Sequence, residues 1–93
     1  LQEDKTAQLV DVRTPEEFQS GHLQGARNIN IYDDNFQAQM AKLDKNKPLM
    51  VYCAVGGRSG QAAQQLKSMG FKKVYDLDGG IKAWKSAGKK TVQ

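Results

Sequence analysis

Cys53 is the only cysteine in a chain of 93 residues, and its neighbours are those a reactive sulfur needs. The segment reads Cys53-Ala54-Val55-Gly56-Gly57-Arg58-Ser59. An apolar run, Leu49-Met50-Val51-Tyr52, leads into it, and a stretch with helical spacing follows. A thiolate, not a thiol, is the nucleophile. Two features lower the Cys53 pKa. The helix that starts near Arg58-Ser59 turns its positive end towards the loop. Gly56 and Gly57 let the backbone curl, so that successive N–H groups converge on one point as an anion nest. Arg58 adds a permanent charge with planar donors suited to oxyanions. Ser59 is expected to cap the helix and to donate to a group bound at the sulfur. The Cys53 pKa is therefore expected below its unperturbed value of about 8.5. A lone cysteine is more often an inert small hydrophobe. The glycines, arginine and serine that follow directly outweigh that reading.

Other chemistry-bearing residues are few. Asp11 and Arg13 stand at the end of the first strand, on the edge that carries Cys53, and are candidates to support it from behind. A pairing with Glu17 or with loop backbone is their expected role. His22 is the only histidine and is expected to hold a turn by a hydrogen bond. One histidine and one cysteine without neighbours at ligand spacing leave no metal site. Tyr52 and Trp84 read as packed side chains.

The elements that position these residues alternate. Gln8 to Val12 reads as a strand. Thr14-Pro15-Glu16-Glu17 then starts a helix, with Thr14 as N-cap, Pro15 in the first position and Glu17 closing a capping box. Ser20-Gly21 stops it. Asn28 to Ile31 is a short extended piece. Asp33 or Asp34 caps a helix on which Phe36, Met40 and Leu43 recur at helical spacing. Leu49 to Tyr52 is apolar on both faces, which suits a central parallel strand. Ala62, Ala63, Leu66 and Met69 form the stripe of the next helix, and Gly70 follows its end. Val74 to Leu77 is a further strand. Asp78-Gly79-Gly80 turns into a last helix, with Ile81 and Trp84 inward, that stops near Gly88. This order predicts βαβ units in a mostly parallel sheet with helices on both faces. Ligands in such sheets sit beyond the carboxyl ends of the strands, where Cys53 lies.

Composition narrows the partners. Residues 1–59 carry 7 Lys/Arg and 8 Asp/Glu, a balance of −1; residues 60–93 carry 7 lysines and 2 aspartates, a balance of +5. A basic carboxyl third favours anions at long range, although lysines scattered on helix faces chiefly serve solubility. They are not interleaved with aromatics, so nucleic-acid binding is not expected. No apolar stretch reaches the roughly 18 residues of a membrane span. One cysteine forbids an internal disulfide and fits a reducing compartment. The chain starts at Leu1, so a trimmed form is expected. The compartment then reads as cytoplasmic, or periplasmic if a removed signal segment preceded Leu1.

The motifs together resemble the rhodanese family of sulfurtransferases. Tyr52-Cys53-x-x-Gly56-x-Arg58-Ser59 looks like its active-site loop. Asp11-Val12-Arg13 with Glu16-Glu17-Phe18 resembles its opening strand and helix. Gly21-His22-Leu23-x-Gly25-Ala26-x-Asn28-Ile29 resembles the next segment. Gly70-Phe71-x-x-Val74-x-x-Leu77-x-Gly79-Gly80-Ile81-x-Ala83-Trp84 resembles the closing strand and helix. The match runs from about Leu9 to Trp84. The resemblance implies one domain over residues 1–93, an α/β three-layer sandwich with a mostly parallel, about five-stranded sheet flanked by helices. It implies that Cys53 is catalytic and cycles through a persulfide, with Ala54 to Ser59 binding the substrate. Sulfane sulfur would pass from a donor such as thiosulfate to cyanide, a small thiol or a protein thiol, without a cofactor. A monomer is expected.

Two alternatives remain open at this point. A phosphatase of the related fold has a cysteine-to-arginine loop one residue longer than the four residues Ala54 to Gly57 here. A binding module without turnover would share the fold, but such modules often lack the cysteine; a sulfur carrier would share the cysteine chemistry and differ only in its acceptor. Ala54 and Val55 also stand where some family members place a cation. Weaker binding of the thiosulfate dianion follows, with Arg58 and the basic carboxyl third expected to compensate.

Overall fold

The computed structural model describes residues 8–77 and 79–93. Four strands, β1 (Gln8–Asp11), β2 (Arg27–Asn28), β3 (Leu49–Tyr52) and β4 (Val74–Asp76), alternate with four helices. The helices are α1 (Pro15–Ser20), α2 (Phe36–Met40), α3 (Gly57–Ser68) and α4 (Gly80–Ser86). The sheet order is β2-β1-β3-β4, and every pairing is parallel. The expected α/β architecture is present, with four strands among the described residues rather than about five. Beyond α4 the chain makes only one antiparallel bridge, between His22 and Val92, which is too short to count as a strand.

Strand alternation sends side chains to both faces. On one face Val10, Val12, Leu49 and Val51 join Phe36, Met40 and Leu43 around α2, and Ala62, Ala63 and Leu66 of α3. On the other, Tyr52 packs with Leu23 and Ile81, flanked by Leu9, Leu77 and Trp84. These two clusters make the three layers. Trp84 is only partly buried, and its indole N–H donates to the Lys90 carbonyl at 2.9 Å.

Local signals explain most element ends. Thr14 caps α1 in a complete capping box: its hydroxyl accepts from Glu17 N–H, and the Glu17 carboxylate accepts from Thr14 N–H. α3 ends in a Schellman pattern. Phe71 N–H donates to Leu66 O and Gly70 N–H to Lys67 O. The α2 cap differs from expectation. Asn35 is the cap residue and makes no side-chain cap bond; Asp33 contributes only its carbonyl, to Phe36 N–H. α2 stops at Met40, and Leu43 reaches the core from a following turn. Asp78 lies outside the described residues.

Candidate active site

β3 ends at Tyr52 and α3 begins at Gly57, so residues 53–56 are a tight link between a central strand and a helix N-terminus. Cys53 is 1% exposed and belongs to the main core cluster. Gly56 takes a φ of 121°, which favours glycine, and caps α3. That turn aims its N–H at the Cys53 sulfur, 3.0 Å away. Burial pushes the Cys53 thiol up. The Ser59 hydroxyl and the N–H groups of Ser59, Gly56 and Val55 pull it down, and the net effect is a lowered pKa. Gly57, Arg58 and Ser59 lie in the first turn of α3, where N–H groups have no intrahelical acceptor.

The loop is held from outside by α4. Ile81 N–H donates to Cys53 O at 2.9 Å and Lys82 N–H to Ala54 O at 3.1 Å. With both carbonyls drawn outward, the N–H groups of the turn face the sulfur. Gly80 makes that contact possible. A Cβ there would collide with the Cys53 carbonyl oxygen and come within 2.6 Å of the Ala54 carbonyl carbon. The sequence places Gly80 in a turn into the last helix; its support of the loop shows only in the fold, and the Gly79-Gly80 pair is the trace it leaves in the sequence.

Arg58 does not stand free over the loop. Its two terminal nitrogens donate to the Glu17 carboxylate, Nη1 to Oε1 at 2.7 Å and Nη2 to Oε2 at 3.0 Å. The paired Arg58 guanidinium holds the Glu17 carboxyl down to about 2. The contact also holds the Arg58 proton more firmly than usual. Ser59 is not the cap expected of it. It sits in the first turn of α3, fully buried, and its hydroxyl donates to Asp76 Oδ1 at 2.5 Å and lies 3.2 Å from Gly56 O. A hydroxyl has one proton, so Asp76 competes with the sulfur for it. Ala54 is half-buried and Val55 is 60% exposed at the loop tip.

Asp11 and Arg13 pair with each other rather than with Glu17. Arg13 Nε and Nη2 donate to the Asp11 carboxylate at 2.9 and 2.6 Å, and Nη2 also reaches Gly21 O. The Arg13 guanidinium lies over the Tyr52 ring, 5.8 Å from its centroid. Tyr52 in turn accepts from Leu23 N–H through its hydroxyl oxygen. This buried strut lies under the strand that carries Cys53, and its hydrogen bonds do not reach the sulfur. His22 stacks on Phe18, hydrogen-bonds Phe18 O through Nδ1 and bridges Val92. Among the described residues no group of three or more acidic, histidine or cysteine side chains could hold a metal.

A model of the rhodanese-like domain matches residues 1–87. The chain belongs to the rhodanese-like family. This rhodanese-like domain is 41% identical over 87 residues to the thiosulfate sulfurtransferase GlpE of Shewanella oneidensis, covering 94% of this chain and 84% of that protein. It is 42% identical over 80 residues to the uncharacterized protein YqhL of Bacillus subtilis, covering 86% of this chain and 62% of that one. Among solved structures, a rhodanese-related protein from Thermoplasma volcanium superposes with a TM-score of 0.84 at 32% identity, over 95% of this chain and 85% of that one. The rhodanese-like domain of the Alr3790 protein from Anabaena gives 0.84 at 31% identity, over 97% and 90%.

Proposed function

We propose that the domain is a sulfurtransferase in which Cys53 carries a sulfane sulfur as a persulfide. Family membership and the sulfurtransferase among the relatives support sulfur transfer as the class of activity. The observation that carries the finer reading is the set of N–H donors around the Cys53 sulfur at the mouth of α3. The thiolate attacks the outer sulfur of the donor. With thiosulfate, the S–S bond breaks and sulfite leaves with its electron pair. The product is a Cys53 persulfide anion, one sulfur longer. The first-turn N–H groups of α3 stabilise that anion as an oxyanion hole stabilises its charge. Cyanide or a thiolate then attacks the outer sulfur and frees the Cys53 thiolate. The sequence is two-step covalent transfer, and ping-pong kinetics follow.

The acceptor is a small thiol or a protein thiol, and the domain acts as a monomer in this reading. Arg58 bears on the phosphatase alternative, which needs that guanidinium for phosphate and a longer loop. Here both of its terminal nitrogens are taken by Glu17. The test is thiocyanate formation from thiosulfate and cyanide, with Cys53→Ser as control. Intact mass should rise by one sulfur on donor alone. No thiocyanate and no mass gain would overturn the proposal.

A further inference from the structure

Arg58 is the only charged residue between Cys53 and Ser59, and its charge is already answered. Glu17 grips it with both carboxylate oxygens, and Glu17 is itself fixed by the N–H and hydroxyl of Thr14. The Glu17–Arg58 pair is half-buried, with side chains 34% and 22% exposed, so both charges sit at the rim. A second carboxylate, Asp76, reaches the site through Ser59. The loop tip, Ala54-Val55, is apolar. Lys82 lies beside Ala54 by its backbone, and its side chain is exposed to solvent. Within the Cys53–Ser59 loop the sulfur thus meets N–H dipoles and a cation already paired with Glu17, which is a poorer setting for a doubly charged substrate than a free Arg58 would give.

We infer that Glu17 is a specificity-determining residue: by cancelling Arg58 it selects donors that bring at most one negative charge to Cys53, against dianions such as thiosulfate. The donor class rests on the reading of Cys53 as a sulfur acceptor; the charge selectivity does not. Persulfides and polysulfides of thiols without other acidic groups meet the requirement.

Glu17→Gln removes the charge and keeps a residue that still closes the capping box. The readout is the ratio of Cys53 alkylation rates with iodoacetate and iodoacetamide on the full chain. The same thiolate attacks both reagents and displaces iodide from each, so any change in the Cys53 pKa cancels. Freeing the Arg58 charge beside the reacting sulfur should raise the ratio by about three- to tenfold in Glu17→Gln. Arg58→Gln, which leaves Glu17 unpaired, should lower it. The kcat/KM for thiosulfate should rise in Glu17→Gln by at least the factor seen with iodoacetate, because thiosulfate carries twice the charge. A ratio unchanged in both variants overturns the inference, whether or not thiocyanate forms. A raised ratio in Glu17→Gln supports it, and absent thiocyanate would then count against sulfur transfer alone.

Discussion

At the scale of single residues, the nucleophile is made by its neighbours. Burial alone would leave Cys53 an inert thiol; the Ser59 hydroxyl and the N–H groups of Ser59, Gly56 and Val55 reverse that. Alkylation by iodoacetamide should therefore show a midpoint below the ordinary thiol value of about 8.5. Ser59→Ala removes one donor to the sulfur and should raise that midpoint, read from the pH dependence of the same reaction. A midpoint that does not move would mean that Asp76 keeps the hydroxyl proton throughout. The loop itself was legible because all its members are adjacent in sequence. Its regulators were not. Glu17 and Arg58 are 41 positions apart, Ser59 and Asp76 are 17 apart, and no local pattern pairs them. Asp11 and Arg13 show a subtler failure. Their place at the strand end was readable, but which carboxylate each arginine would choose depends on where the fold sets α1 and α3 relative to the strand end.

At the scale of elements, α1 is tied to α3 through the Glu17–Arg58 pair. The folded state holds Glu17 near 2, against 4.5 for a free side chain, chiefly through its bond from Arg58. A carboxyl depressed on folding stabilises above its unfolded pKa and loses that contribution as pH falls through its folded one. The urea midpoint of the native chain should thus exceed that of Glu17→Gln above pH 4.5, and the gap should close towards pH 2. Solvent screening keeps the gap to about 1 kcal/mol. α4 supports the site by close approach, and Gly80→Ala should separate it from the loop. A loss of about 1–3 kcal/mol in urea denaturation is expected from overpacking, with a raised Cys53 alkylation midpoint. The α1 box, the α3 stripe and the strands were readable because their signals repeat within a few residues. The α2 cap was misplaced by its aspartates, because the backbone turn at Asn35 needs no side-chain bond.

At the scale of the whole molecule, a buried polar strut of Asp11 and Arg13 braces the Tyr52 face of the sheet. Asp11 is fully buried, and Arg13 is 5% exposed. Arg13→Met would strand the Asp11 charge, and about 3–5 kcal/mol of stability should be lost. Double replacement, Asp11→Asn with Arg13→Met, should recover part of it. Urea denaturation of both variants checks this, and equal losses would show that the strut is not an ion pair in effect. The four-strand count also belongs to this scale. Four strand-like runs are present in the sequence, and the fifth came only from the family pattern.

The grip of α4 on the loop has a dynamic meaning. The amides of Ile81 and Lys82 can exchange their hydrogens with solvent only when they let go of Cys53 O and Ala54 O. Their exchange rates are therefore a built-in gauge of how often the sulfur site comes apart, readable without substrate. Loading sulfur onto Cys53 should slow both amides together, if the cradle tightens around the longer anion.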